Sequence, residues 1–160
     1  MMKGRIFSVS LTLICVIART VISDGCADGF VEYGNYCLHA VLMNVNWAEA
    51  RVYCEVMKAK LVTIDSNDKA QCVQQYMDTI KGSGLVWIDG TDLYSEGQWF
   101  WMDSQKTFTY TNWIPGQPNN GGGTENCAHI NRLYGYEWND HDCNAKLNFL
   151  CERPLPLNPF

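Results

Sequence analysis

The chain has 160 residues, with 17 acidic and 12 basic side chains and a net charge of −5 at neutral pH. This acidic balance argues against nucleic acid as a partner, because binding to phosphates requires a basic surface. The length fits one domain of ordinary size, and no repeat, linker or low-complexity segment indicates a second one.

Residues 1–23 have the pattern of a secretory signal peptide. Lys3 and Arg5 precede an apolar run that spans residues 6–18, and Ser23 is a small residue before the expected cleavage point. The run is shorter than the ~20 residues that a membrane-spanning helix needs, and no later stretch is long enough, so no membrane insertion is expected. We expect a secreted, extracellular protein in which residues 24–160 form a single domain.

Two amphipathic helices are predicted in the first half of that domain. The first begins near Asn46, which forms a capping-box pattern with Glu49, and it ends at about Met57. The second has Ser66 as its N-cap and ends at about Ile80. Its expected buried face consists of apolar residues at helical spacing, namely Ala70, Val73, Met77 and Ile80. Cys72 is expected to lie off this face, on the flank of the helix.

Short strand-like segments accompany the helices, at residues 30–38, 61–64, 86–88, 98–101, 127–131, 136–139 and 149–152. Residues 104–126 form a stretch rich in Gly, Asn, Thr and Pro with little periodicity. Loops of this length inside compact domains are uncommon and usually functional. Two helices, several short antiparallel strands and one long loop predict an α+β domain. Five tryptophans are predicted to pack in its core, namely Trp87, Trp99, Trp101, Trp113 and Trp138.

Five oxygen-bearing side chains stand around the end of the long loop and the strand after it: Gln117, Asn119, Glu125, Asn139 and Asp140. Calcium prefers roughly 6 to 8 oxygen ligands, and carboxylates and amide carbonyls supply them without the strict geometry that magnesium requires. Five protein ligands would leave the coordination shell open to water or to hydroxyl groups of a ligand. The pattern therefore predicts a calcium site that can take part in binding.

The order and spacing of several motifs resemble the C-type lectin domain. These motifs are Trp87-Ile88-Asp89-Gly90, Glu96-Gly97-Gln98-Trp99, Gln117-Pro118-Asn119, Trp138-Asn139-Asp140 and the cysteines at positions 127, 143 and 151. The resemblance covers about residues 26–153 and implies a C-type lectin-like fold with a long calcium-binding loop. It also implies a cis peptide bond before Pro118, which turns the two flanking amide carbonyls toward the metal.

Seven cysteines remain once the signal peptide is removed, so a disulfide framework leaves one of them over. The count alone does not fix the pairing. The resemblance implies three pairs, namely Cys26 with Cys37, Cys54 with Cys151, and Cys127 with Cys143. Three fates of Cys72 stay open: a disulfide-linked homodimer, a thiol on the flank of the helix, or a bridge to a different chain.

The resemblance implies a calcium-dependent lectin in which vicinal hydroxyls of a terminal hexose coordinate the metal. The family's usual tripeptides are Glu-Pro-Asn for mannose-type ligands and Gln-Pro-Asp for galactose, and Gln117-Pro118-Asn119 matches neither. Only Glu125 and Asp140 are charged in this ligand set, which predicts weaker calcium binding than the usual patterns give. Residues 120–123 lack the aromatic residue of many galactose-type members. Mannose-type or broad recognition is favoured, with galactose still open.

The resemblance also implies an auxiliary calcium site, formed by Asp92, Glu96, Asn120 and Asn126 with Glu125 shared. The alternative for Asp92 and Glu96 is that they are solvated acidic residues of a loop. His141 is interpreted as a structural or exposed residue.

The expected partners are glycans on microbial or cell surfaces, in pathogen recognition or agglutination as part of innate immunity. The alternative is a C-type lectin-like protein that binds a protein or ice and has a weakened calcium site. No enzyme is expected, because the sequence has neither Gly-x-Ser-x-Gly nor His-Glu-x-x-His.

Overall fold

The computed structural model describes residues 25–26 and 29–156, so the predicted signal peptide, residues 1–23, lies outside the described residues. Within the described part, two α-helices accompany one mixed β-sheet, which is the α+β class that the sequence predicts. The elements in chain order are β1 (Val31–Tyr33), β2 (Tyr36–Val45), α1 (Trp47–Val56), β3 (Lys60–Leu61), α2 (Asn67–Thr79), β4 (Leu85–Thr91), β5 (Phe100–Trp101), β6 (Lys106–Thr107), β7 (Glu125–Asn131), β8 (Glu137–Asp142) and β9 (Leu147–Pro154).

Both helices begin where the sequence predicts. The Asn46 side chain accepts a hydrogen bond from the Glu49 N–H at 2.8 Å, and the Glu49 carboxylate accepts one from the Asn46 N–H at 2.9 Å. This reciprocal pair is a capping box at the start of α1. Ser66 caps α2 by accepting a hydrogen bond from the Lys69 N–H at 3.3 Å. Both predicted N-caps are confirmed.

The buried face of α2 differs from the predicted one. It consists of residues three and four positions apart, namely Lys69, Cys72, Val73, Tyr76 and Met77. Cys72 is only 8% exposed, so its predicted position on the flank of the helix was wrong. The apolar pattern missed this face because two of its members are amphipathic. Lys69 forms an ion pair with buried Glu152, and the Tyr76 hydroxyl accepts a hydrogen bond from the Ala40 N–H.

The sheet is built around β9. Strand β2 pairs with it antiparallel, with His39 opposite Cys151, whereas β4 pairs with it in parallel, with Trp87 opposite Phe149. The parallel pair departs from the antiparallel arrangement that the sequence predicts. Parallel pairing is possible here because the chain between β4 and β9 is long enough for the crossover that parallel strands require. Strand β4 also pairs with β7, and β7 forms a hairpin with β8.

Some predicted strands have different limits in the structure. The predicted strand at residues 30–38 is a hairpin, in which β1 turns into β2 at Gly34, a residue with a φ of 59°. The predicted loop, residues 104–126, contains the two-residue strand β6 and a short 3-10 turn at Gly121–Gly123. Both differences lie at turns. There, local hydrogen bonds determine where a strand begins or ends, and the pattern of apolar residues does not.

Two buried apolar clusters stabilise the described part of the chain. One includes the inner face of α2 together with Trp99, Trp101 and Trp138, and the other includes the inner face of α1 together with Trp87. These four tryptophans are between 0% and 8% exposed, and Trp113 is partly buried against the first cluster. The predicted packing role of all five tryptophans is confirmed.

Three disulfides join the pairs that the family resemblance implies: Cys26–Cys37, Cys54–Cys151 and Cys127–Cys143. The second closes a span of 97 residues and ties α1 to β9. The third ties β7 to the segment that follows β8. The hairpin of β7 and β8 is therefore covalently fixed at its open end.

Four carboxylates are buried among the described residues, and two of them, Glu152 and Asp89, lie away from the long loop. Glu152 accepts hydrogen bonds from the N–H and hydroxyl of Thr63 at 2.9 and 2.8 Å, and its other oxygen lies 2.6 Å from Lys69 Nζ. Asp89 is 1% exposed, and burial raises the pKa of its carboxyl to about 7. Arg51 Nε lies 3.7 Å from Asp89 Oδ1, which is too long for a hydrogen bond.

Candidate metal centre

The long loop is held against β8 by backbone hydrogen bonds and aromatic packing. The Trp138 N–H donates to the carbonyl of Asn112 at 2.7 Å, and the Ile114 N–H donates to the carbonyl of Trp138 at 2.9 Å. The ring of Trp113 lies 4.8 Å from that of Trp99 and 5.5 Å from that of Trp138, measured between centroids. The loop thereby reaches the strand that carries Asn139 and Asp140.

Asp140 connects the loop to β8 directly. Its side chain is fully buried and accepts hydrogen bonds from the N–H of Asn119 at 3.0 Å and of Asn120 at 2.7 Å. An ionised carboxylate has about four lone-pair positions, so these two donors leave capacity for a cation. Asp140 is therefore suited both to shape the loop and to bind a metal.

Gln117 and Asn139 provide two buried amide oxygens. The Gln117–Pro118 peptide bond is cis, as the family resemblance implies. Gln117 Oε1 and Asn139 Oδ1 are buried, and neither accepts a hydrogen bond from any described residue. Leaving a buried acceptor unpaired costs about 1–3 kcal/mol. A hard cation bound at these oxygens would remove that cost.

His129 orients the Asn139 amide, a role that the sequence reading missed. It lies opposite Asn139 in the hairpin, and its Nε2 is 3.4 Å from Asn139 Nδ2. Burial lowers the pKa of His129 to about 4, so the imidazole is neutral at pH 7 and can accept from the amide. Asn139 Nδ2 also donates to the carbonyl of Asp140 at 2.8 Å. Because Asn139 Nδ2 interacts with both His129 and the Asp140 carbonyl, Asn139 Oδ1 remains available to coordinate a metal.

Glu125 reaches the same region from the start of β7. Its Oε2 accepts a hydrogen bond from the Gly121 N–H at 2.8 Å. A Cβ atom on Gly121 would lie 2.7 Å from Glu125 Oε2 and 3.4 Å from Asn119 Oδ1. Both predicted ligand oxygens therefore border the space left by the missing side chain of Gly121. The sequence reading did not single out this glycine, because a close approach is visible only in three dimensions.

The four residues predicted for an auxiliary calcium site form two hydrogen-bonded pairs. Asn120 Nδ2 donates to Glu96 Oε2 at 2.5 Å, and the Asp92 N–H donates to the carbonyl of Asn126 at 3.2 Å. Asp92 Oδ1 is buried and accepts no hydrogen bond from the described residues. Burial raises the pKa of Asp92, and the charge of Asp140 raises it further. A cation between these groups would relieve both effects.

His141 is half-buried beside this region. Its Nδ1 accepts a hydrogen bond from the Asp142 N–H at 2.9 Å and lies 3.7 Å from Glu125 Oε1. Its ring centroid is 6.2 Å from that of Trp87. These contacts agree with the interpretation of His141 as a structural residue.

The donor set fits calcium better than other metals. Within the described ranges, no three His, Cys, Asp or Glu side chains come together as a metal centre. Three amides and two carboxylates supply only hard oxygen atoms, which suit calcium and do not suit zinc or copper. These hard oxygen donors, together with the two unpaired amide oxygens, fit Ca²⁺.

Gly121→Ala should weaken calcium binding about tenfold, because the new Cβ would displace the Glu125 carboxylate. Calcium titration by calorimetry measures the change. Gly84→Ala is the matched control, because a Cβ there meets no atom within 4 Å. Equal calcium affinities of Gly121→Ala and the unmodified protein would show that Glu125 is not a ligand in this arrangement.

No helix in the part of the chain that the structure describes is both long enough and apolar enough to cross a bilayer.

Comparisons with known proteins agree with this architecture. The family model described as Lectin C-type domain matches residues 43–153. Perlucin of Haliotis laevigata is 35% identical over 130 residues, which cover 81% of this chain and 83% of perlucin. The galactose-specific lectin nattectin of Thalassophryne nattereri is 31% identical over 156 residues, which cover 93% of this chain and 96% of nattectin.

A similar solved structure is the carbohydrate-recognition domain of the mouse scavenger receptor C-type lectin. It is 31% identical and superposes with a TM-score of 0.73, covering 81% of this chain and 98% of that one. The matched sequence, the disulfides and the fold lead to the same assignment. This chain belongs to the C-type lectin domain family, whose members are binding proteins and not enzymes.

Proposed function

We propose that this protein is a secreted lectin that binds terminal hexoses through a calcium ion. The calcium ligands are the five predicted residues: Gln117, Asn119, Glu125, Asn139 and Asp140. The observation that carries the proposal is the pair of buried amide oxygens, Gln117 Oε1 and Asn139 Oδ1, to which no described residue donates a hydrogen bond. Apolar or protein-binding surfaces have no need of such acceptors, whereas calcium does.

Calcium would supply a positive charge that coordinates two vicinal hydroxyls of the sugar. The protein ligands would also form hydrogen bonds with the same hydroxyls, so metal and sugar binding are coupled. The Glu125 and Asp140 carboxylates accept hydrogen bonds, whereas an amide that coordinates through its oxygen has only its nitrogen left, as a donor. The ligand set carries two negative charges, which supports a weaker calcium site than three would.

The donors available to the sugar are on the Gln117-Pro118-Asn119 segment. Asn139 Nδ2 already donates to the carbonyl of Asp140 and faces His129, whereas neither Gln117 Nε2 nor Asn119 Nδ2 donates within the described residues. The amide nitrogens of Gln117 and Asn119 are thus two donors for the sugar, and the exposed turn Gly121–Gly123 contains no aromatic residue. Both features support recognition of mannose-type sugars or of a broad range of sugars. The likeness to a lectin named as galactose-specific supports galactose as the competing preference.

Glycans on microbial or cell surfaces are the proposed partners, in recognition or agglutination. Secretion is supported by the three disulfides, which form in oxidising compartments.

A homodimer linked through Cys72 is not part of the proposal. The thiol is 8% exposed on the inner face of α2, and a second chain would reach it only if that helix moved. An auxiliary calcium at Asp92, Glu96, Asn120 and Asn126 would brace the loop.

Calorimetric titration with mannose, galactose and N-acetylglucosamine, each with calcium and with excess chelator, tests this function. We expect saturable heat of binding for at least one sugar when calcium is present. With excess chelator, the proposed calcium site should give no heat of sugar binding. The ranking of the sugars gives the preferred hydroxyl arrangement. Absence of both calcium binding and calcium-dependent sugar binding would favour the alternative, a lectin-like module with a protein or ice as its ligand.

A further inference from the structure

A second pocket lies apart from the candidate metal centre, between α2, the long loop and the start of β8. Its volume is about 290 Å³, and none of the five proposed calcium ligands lines it. Small-molecule sites span about 300–1,000 Å³, so this pocket lies just below the lower limit of that range. It is of a size for one small ring and not for a folded partner.

One wall of the pocket consists of amide side chains. Asn67, Gln71 and Gln74 stand four and three positions apart on α2 and share one face of that helix. Asn112 lines the pocket from the long loop. None of these four side chains forms a hydrogen bond within the described residues, so each offers both donors and an acceptor to a ligand.

The other wall is aromatic. Trp138 and Tyr136 are 0% and 6% exposed, and the Tyr136 hydroxyl donates to Asp78 Oδ1 at 3.0 Å, which holds that ring in place. Tyr134 is 56% exposed and Tyr110 is half-buried, and both also line the pocket. The indole N–H of Trp138 is buried and has no acceptor within the described residues. Tyr134 and Tyr110 therefore supply the ring surface that a ligand can contact, whereas the buried Trp138 and its N–H do not.

The charge of the lining restricts the ligand. Glu137 is the one charged residue that lines the pocket among the described residues, and no Lys, Arg or His does so. An anionic ligand would face a carboxylate without any compensating cation. Hydroxyl groups both donate and accept hydrogen bonds, and they match the amides and Glu137. Aromatic faces favour the apolar face of a ring.

We propose that this pocket binds an uncharged pyranose ring of a glycan without calcium. The inference goes beyond the calcium-dependent function and does not depend on it, because the two sites share no proposed ligand residue. One domain would then hold two glycan units at separate places. Bridging by a monomer would raise avidity on a multivalent surface without any dimer.

Amide chemical-shift NMR of the isotope-labelled protein in excess chelator tests this site. The probes are methyl α-mannoside, methyl β-galactoside and N-acetylglucosamine, with glucuronate as an anionic comparison. We expect saturable shifts at residues 67–74 and 134–138 with at least one neutral sugar, and weaker or absent shifts with glucuronate. Gln74→Ala should weaken that binding by about three- to tenfold through loss of one hydrogen-bonding side chain.

Gln75→Ala is the matched control, because Gln75 is an exposed neighbour on α2 that does not line the pocket. It should bind the sugar as the unmodified protein does. The proposal is overturned if no neutral probe gives saturable shifts in chelator, or if the shifts are confined to residues 117–125. Equal weakening by Gln74→Ala and Gln75→Ala, or equal binding of glucuronate, would also overturn it. Chelator is present throughout, so failure of the calcium site alone leaves these results unchanged.

Discussion

Asp140→Asn should lower calcium affinity by at least about 100-fold, a loss of about 2.7 kcal/mol, and should remove calcium-dependent sugar binding with it. The change removes one of two negative charges in the proposed ligand set. It also replaces an acceptor by an amide nitrogen that would confront the N–H groups of Asn119 and Asn120. Calcium titration by calorimetry, followed by sugar titration in saturating calcium, measures both effects.

The control for this change is Asp65→Asn, which removes the same charge from an exposed residue before α2. It should leave calcium affinity within about twofold, because Asp65 is not a proposed ligand and solvent and salt screen the charge of an exposed side chain. A normal calcium affinity in Asp140→Asn would contradict the assignment of Asp140 as a ligand. Thermal unfolding with and without calcium gives an independent reading, because a ligand that binds only the folded state raises its stability.

Lys69→Met should destabilise the protein by about 3–5 kcal/mol, because it removes the buried counterion of Glu152 and leaves only the more exposed Lys60, whose Nζ lies 3.9 Å from Glu152 Oε1. Both side chains are only 5–6% exposed, and their charged atoms are 2.6 Å apart. The change also removes a cation from above the ring of Tyr36, at 4.5 Å from its centroid. Urea unfolding with the disulfides intact measures the free energy of unfolding.

Lys146→Met is the matched control. Lys146 and Glu49 form an ion pair of similar length, 2.7 Å, but their side chains are 54% and 48% exposed. Removing an exposed pair should cost no more than about 1 kcal/mol. Adding Glu152→Gln to Lys69→Met should restore part of the lost stability, because Gln keeps an acceptor for Thr63 without a buried charge. An equal loss of unfolding free energy in Lys69→Met and Lys146→Met would mean that burial does not determine how much the Lys69–Glu152 pair stabilises the protein.

The parts of the fold that could be predicted from sequence are those with local chemical signatures. Asn46 with Glu49 and Ser66 marked the helix starts, because caps satisfy backbone donors at fixed spacing. The parallel pairing of β4 with β9 could not be predicted, since register between distant segments depends on the whole sheet. Lys69 and Glu152 were also missed, because single charged residues are ordinarily on the surface and their burial requires a distant partner.

The ligands proposed for the candidate centre come from the sequence, whereas the residues that support them became visible only in the fold. Gln117 and Asp140 are 23 positions apart, and before the fold was known they were related by the pattern of oxygen-bearing side chains and by the resemblance to a family. The role of His129 depends on the register between β7 and β8, and the role of Gly121 depends on a close approach of Glu125. The pocket beside α2 was not predicted at all, because its wall combines a helix face with two distant loops.

The disulfide between Cys54 and Cys151 also determines how the domain carries mechanical load. The shortest covalent path from residue 30 to residue 154 crosses that bond and bypasses everything between the two cysteines. Tension applied between the first and last strands therefore never passes through the long loop or the β7–β8 hairpin. A cell or particle that pulls on the two ends would load β1, β2, α1 as far as Cys54 and the end of β9, and the residues proposed to hold calcium and sugar lie outside that covalent path.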